Sequence, residues 1–202
     1  MNKLYYRYGA MGSSKTAQAL MIKFNYEQKG YNVFLFKPLY DNRCVEDGKA
    51  YVASRIGLKS ECIEFSSTDN FADLCNKHDI LNVKKVKQNV IIIDECQFMT
   101  RQQVEEIKDI AQYLPVLCFG LLTNYKTELF EGSKRLVELA DSLEEIKSIC
   151  KCGRKATVNA RLNNGKIVVD GNEIEIGGDD QYEGMCYNCY KKKLNNQSKK
   201  DW

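Results

Sequence analysis

Short apolar runs alternate with stretches of helical period along residues 1–149. Leu4–Tyr8 is brief, apolar and aromatic, which predicts a strand. Ala17, Leu20, Met21 and Phe24 then recur at helical spacing, with Gly30 as a stop. Val33–Phe36 predicts a second strand. Val90–Ile93 is an unbroken β-branched run, of the kind buried on both faces of a parallel sheet. Thr100 stands where a helix cap belongs, ahead of an apolar stripe of Val104, Ile107, Ala111 and Leu114. Val116–Leu121 predicts a strand, Gly132–Ala140 a helix and Leu143–Ile149 a closing strand. The alternation predicts an α/β fold, a mostly parallel sheet with flanking helices.

The pattern changes at Cys150. From there to Cys189 the chain is polar and contains glycine, and Asn164-Gly165 between Ala160–Leu162 and Lys166–Val169 predicts a hairpin. Gly177-Gly178 interrupts the chain before the second cysteine pair. The expected organisation is an α/β domain over 1–149, a small domain over 150–190 and a flexible tail over 191–202. Composition agrees with this size: 202 residues, 44% hydrophobic and 28% charged, suit one globular domain with an appendage. The net charge of +3 is too balanced to indicate nucleic-acid binding, and the run Lys191–Lys193 reads as a solvated tail. No apolar run approaches the ~20 residues that span a bilayer, and the N-terminal segment lacks a signal-peptide core. The expectation is a soluble, cytoplasmic protein without nucleic-acid or membrane partners.

Gly9-Ala10-Met11-Gly12-Ser13-Ser14-Lys15-Thr16 lies between the first predicted strand and the first predicted helix. A phosphate-binding loop occupies this place in a nucleotide-binding domain. It needs inward backbone N–H groups, a helix N-terminus, a lysine, and a hydroxyl for Mg²⁺; Lys15 and Thr16 supply the last two. Ser14 replaces the second glycine of G-x-x-x-x-G-K-[ST], where glycine allows unusual dihedrals. The plainer alternative is an ordinary strand–turn–helix connection. Asp94-Glu95-Cys96-Gln97-Phe98 follows the isoleucine run. Ligands of open α/β sheets bind beyond the carboxyl ends of the strands, so an acid here reaches Mg²⁺ or serves as a base toward a hydroxyl.

Nine cysteines, an odd number, do not suggest a disulfide framework. Cys44, Cys62, Cys75, Cys96 and Cys118 are scattered and read as small buried apolar residues. Cys150/Cys152 and Cys186/Cys189 form two tight pairs, and four thiolates make a closed structural zinc site. Reactive or unligated thiols are the alternatives. The only histidine, His78, is far away in sequence and reads as a surface or capping residue.

These motifs together resemble the zinc-binding type II thymidine kinases, in their bacterial-like branch. The resemblance runs from about Tyr5 to Tyr190 and rests on G-x-M-x-S-x-K-T at 9–16, D-E-C-Q-F at 94–98, G-L-L-T-N-Y at 120–125, C-x-C-G-R-K-A at 150–156 and I-G-G-x-x-x-Y-x-x-x-C-x-x-C at 176–189. It implies a P-loop NTPase-like fold with a small zinc-anchored lasso domain. It also implies phosphoryl transfer from ATP, with Mg²⁺, to the 5′-hydroxyl of thymidine or deoxyuridine. In that reading Glu95 is the general base, and Asp94 and Gln97 organise metal and nucleotide. Asp41 and Arg43 lie near the phosphates. Met11, Phe98, Leu121 and Tyr125 form the thymine pocket, and Tyr182 is a lasso tyrosine on the nucleoside. The family further implies a homotetramer and feedback inhibition by dTTP. Two rivals share part of the pattern: a P-loop ATPase that drives a conformational change, and a catalytically impaired regulatory module.

Overall fold

The apolar runs of the N-terminal region assemble into one parallel sheet. This computed structural model describes residues 3–41, 45–82, 84–171 and 181–198. In chain order the elements are β1 (Leu4–Tyr8), α1 (Lys15–Glu27), β2 (Asn32–Pro38), β3 (Val45–Glu46), β4 (Lys49–Ala53), β5 (Lys59–Glu61), β6 (Ile63–Phe65) and α2 (Phe71–Lys77). They continue with β7 (Asn89–Ile93), α3 (Arg101–Ile110), β8 (Val116–Gly120), α4 (Glu131–Leu139), β9 (Ser142–Glu145), β10 (Val158–Asn163), β11 (Lys166–Ile167), β12 (Tyr182–Met185) and α5 (Tyr187–Ser198).

The central sheet has the order β6-β2-β7-β8-β1-β9, and each neighbouring pair is parallel. Ile91 and Ile93 of β7 pack with Phe71, Val104, Ile107 and Leu136 from α2, α3 and α4. Val90 and Ile92 face the other way, toward Ala19 and Leu20 of α1. Burial on both faces explains why β7 is a continuous apolar run rather than an alternating one. Thr100 caps α3 in a full capping box with Gln103, which satisfies two otherwise unpaired N–H groups. His78 closes α2 as its C-cap.

Four local readings differ from the sequence expectation. Met21 and Phe24, expected on the packed face of α1, are 47% and 59% exposed. The last parallel strand stops at Glu145 instead of Ile149. An antiparallel meander, β3-β4-β5, occupies a stretch whose polar text gave no strand signal. The region expected as a tail lies largely inside α5, where Gln197 accepts from the Ile167 N–H at 2.7 Å and donates to its carbonyl at 3.1 Å.

The C-terminal sheet has the order β11-β10-β12 and is antiparallel. Asn164 and Gly165 both have positive φ, as a two-residue hairpin turn requires. No helix among the described residues is long and apolar enough to cross a membrane.

Candidate active site

Gly9–Ser14 connects β1 to α1 at the carboxyl edge of the parallel sheet. Gly9 is confined, since a Cβ there would stand 2.3 Å from the Ile146 carbonyl and 2.5 Å from Ser13 Oγ. Ser14 is the N-cap of α1 and has φ 62°, ψ 26°, in the left-handed region. The backbone therefore makes the turn that glycine would make freely, at about 1 kcal/mol of strain for a residue with a Cβ. Lys15 is buried and folds back over the loop, donating to the carbonyls of Gly9 and Ala10 at 3.0 Å each and to Ser13 Oγ at 3.4 Å. Burial lowers its pKa, while Glu95 and Asp94 pull it back up.

The acids stand at the end of β7. Asp94 is buried there, within reach of Thr16 and Lys15 at the start of α1. Burial, and then the adjacent Glu95 charge, push its carboxyl up to about 7, against the pull of Thr16 and Lys15. Glu95 has φ 51° and so turns away from the strand direction before a 3₁₀ turn over Cys96–Phe98. Its carboxylate accepts from Gln97 Nε2 at 2.6 Å, and Gln97 Oε1 accepts from the Leu121 N–H at 3.0 Å. Buried Gln97 thus spans from the base candidate to the end of β8. Gly120 permits this, because a Cβ there would stand 2.5 Å from Gln97 Oε1. The Leu121 carbonyl is fixed in turn by Tyr6 Oη at 2.9 Å and Ser133 Oγ at 2.6 Å. Sequence reasoning missed Tyr6 and Ser133, and quoted Gly120 in the 120–125 motif without giving it a role. Asp41 lies beyond β2, its carbonyl accepting from buried Lys37 Nζ at 2.7 Å. Arg43 and Cys44 lie outside the described residues.

The aromatic residues form two groups. Phe98 packs between Tyr40 and Phe130, at ring-centroid distances of 6.2 and 5.8 Å. Tyr125 is 1% exposed, with the Arg161 guanidinium 5.5 Å over its ring, and its buried hydroxyl has no partner among the described residues. Tyr182 pairs with Arg161 across β10 and β12, and burial raises its pKa. Met11 is tied to Asn159, whose Oδ1 accepts from the Met11 N–H at 2.8 Å while its Nδ2 donates to the Thr123 carbonyl at 2.7 Å. Asn159 carried no signal in the sequence.

Cys150, Cys152, Cys186 and Cys189 place their sulfurs within 4.8 Å of one another. Cys152 and Cys186 are 3.6 Å apart, far beyond a disulfide length and close to the edge of a tetrahedron with ~2.3 Å metal–sulfur bonds. The Cys189 N–H points at Cys186 Sγ at 3.5 Å, a donor that favours thiolate. Four converging thiols with backbone N–H support fit a structural zinc. Of the scattered cysteines, Cys75, Cys96 and Cys118 are buried and Cys62 is half-buried.

Comparison with known proteins agrees with this geometry. The family model "Thymidine kinase" matches residues 2–190. The thymidine kinase of Haemophilus influenzae (strain ATCC 51907) is 41% identical over 196 residues, covering 96% of this chain and 98% of that one. Those of Legionella pneumophila (strain Lens) and Rhodopirellula baltica are 40% and 38% identical, covering 95% and 96% of this chain and 90% of each relative. With its sheet, nucleotide-type loop, acidic strand end and cysteine cluster in place, the chain belongs to the thymidine kinase family.

Proposed function

We propose that this protein transfers the γ-phosphoryl group of ATP to the 5′-hydroxyl of thymidine or deoxyuridine, giving dTMP or dUMP. One observation carries the reading. The Gly9–Thr16 loop and the Asp94-Glu95 pair meet at the carboxyl edge of the sheet, where Lys15 and Thr16 act on the buried Asp94 carboxyl and Gln97 holds Glu95. A P-loop kinase fold calls for ATP and Mg²⁺. Thr16 and Asp94 would hold the Mg²⁺, which when bound offsets charge on the phosphate oxygens. The loop's other N–H groups would receive the phosphates, since those of Gly9, Met11 and Ser13 are bonded to Gly120 O, Asn159 Oδ1 and Ala10 O, and Lys15 exchanges its loop carbonyls for phosphate oxygens. The family resemblance gives Asp41 and Arg43 a part beside the transferring phosphate.

Glu95 takes the proton of the nucleoside 5′-hydroxyl. As that oxygen bonds to the γ-phosphorus, the bond to the β–γ bridging oxygen breaks and ADP leaves. Gln97 keeps the Glu95 carboxylate aimed, so its part is positioning. Met11, Phe98, Leu121 and Tyr125 line the thymine side, and Tyr182 closes on the nucleoside from β12. The partnerless Tyr125 hydroxyl is available to a bound base. Cys150, Cys152, Cys186 and Cys189 would hold zinc as a structural crosslink.

The proposed division is 1–149 for nucleotide binding and 150–190 for the zinc-anchored lid. Apolar Met21 and Phe24, exposed on one face of α1, are available area for the homotetramer the family suggests. Feedback inhibition by dTTP and a cytoplasmic location complete the proposal. The test is transfer from Mg-ATP to thymidine, with deoxycytidine and nucleoside-free controls. Thymidine-dependent dTMP supports it. ATP binding without transfer, or nucleoside-independent hydrolysis, overturns it in favour of an impaired module or an ATPase.

A further inference from the structure

Met11 is gripped from both sides by the C-terminal sheet. Asn159 of β10 and Gly184 of β12 are directly opposed partners in that sheet. Asn159 Oδ1 accepts from the Met11 N–H at 2.8 Å. Gly184 lies against the carbonyl of the same residue, and a Cβ on it would stand 2.6 Å from the Met11 oxygen. The second end of the Asn159 amide donates to Thr123 O at 2.7 Å, in the loop that carries Leu121 and Tyr125. Asn159 is 3% exposed, so this amide is shielded from competing water. A glycine inside a strand marks a close backbone approach, and here the approaching backbone is the phosphate loop.

We propose that Asn159 and Gly184 are positioning residues which set the shape of the phosphate loop and tie it to the 120–125 loop. The C-terminal sheet is then a brace on the nucleotide and nucleoside sites as well as a lid support. A change in that sheet alters the seat for ATP phosphates and the seat for the nucleoside together. The functional consequence rests on the proposed assignment of Gly9–Thr16 and Leu121–Tyr125; the mechanical part does not.

The experiment uses the full chain. Amide hydrogen exchange is followed in wild type, Asn159→Leu and Gly184→Ala, together with zinc content and the KM values for ATP and thymidine. Asn159→Leu keeps the branching at Cγ and removes both hydrogen bonds. Gly184→Ala keeps both bonds and pushes on the Met11 carbonyl. In Asn159→Leu the Met11 amide should exchange about tenfold faster, while amides of β7 and α3 and the zinc content stay as in wild type. KM for ATP and for thymidine should rise together, by about tenfold each, with kcat changed less than about threefold. Gly184→Ala should raise both KM values while Met11 keeps most of its protection. Unchanged Met11 exchange in Asn159→Leu overturns the brace, and so does acceleration spread evenly over both sheets. The exchange arm is read without substrates. A wild type that transfers no phosphate would therefore refute the kinase reading and leave the brace to stand or fall by exchange.

Discussion

Among the described residues, the parallel sheet buries nineteen in the cluster on one face and nine in the cluster on the other. The described cluster around the C-terminal sheet buries eight, and two of those are cysteines of the four-thiol group. Apolar burial at roughly 25 cal/mol/Å² is ample for the first region and meagre for the second. A sheet of three short strands with so small a core needs a staple, and the converging thiols fit one. The proposed chemistry follows the division. Lys15, Thr16, Asp94, Glu95 and Gln97 all sit on the region that stands by its own core. The region that depends on the thiols contributes the grip on Met11 and Thr123. Reacting groups belong on rigid elements, and the proposed lid belongs at the less stable end of the molecule.

Four measurements test this contrast. The largest effect belongs to Glu95→Gln, which removes the proposed base and keeps its shape. Transfer in a single turnover should fall by about 10²–10⁴-fold while ATP still binds; near-normal turnover would move the chemistry off Glu95. Next is removal of metal. Elemental analysis should find about one zinc per chain. Chelation should release amide protection in β10, β12 and α5 and leave β7 and α3 protected. Simultaneous loss of both sheets would show that the parallel layer is not self-supporting.

A smaller effect is expected from Asp94→Asn. The carboxyl of Asp94 has a folded pKa raised to about 7, above an unfolded value of about 3.9. Its contribution to stability is therefore full below the unfolded value and is lost as pH rises through the folded one. Asparagine imitates the protonated side chain at every pH. The melting temperature of the unliganded variant should match wild type near pH 4 and exceed it by a few degrees at pH 8, at about 2–4 °C per kcal/mol. A difference that does not change with pH would mean that Asp94 is ionised throughout. The smallest effect is that of Ser14→Gly. Relief of the left-handed strain should stabilise the fold by at most about 1 kcal/mol, with ATP affinity equal or better. A large loss of affinity would assign the Ser14 hydroxyl a contact of its own.

Legibility in the sequence divides along physical lines. β2, β7 and β8 were readable because burial on both faces demands nearly continuous apolar text, and β1 by its aromatic, strand-favouring residues. The meander β3-β4-β5 was not, since most of its residues are polar or exposed, as at Val45, Lys49, Lys59 and Glu61, and its strands exist by mutual pairing. The phosphate loop, the two acids and the four thiols were readable because their chemistry restricts residue type at fixed spacing. Even the oddity at Ser14 pointed to the place where the backbone turns left-handed. Tyr6, Ser133 and Asn159 were invisible, because each acts on a backbone group brought to it only by the tertiary fold. Gly184 did leave a trace, a glycine inside a strand, but nothing in the sequence named what approaches it.

The bond between Met11 and Asn159 joins residues 148 positions apart. At ribosomal speeds of 5–20 residues per second, the phosphate loop leaves synthesis about 7–30 s before its brace. During that interval the nascent parallel layer has its glycine turn and Lys15 but no hold on the Met11 peptide. On the proposed assignment, nucleotide capture would wait for synthesis to pass residue 159, and a chain halted before it would keep an unbraced loop.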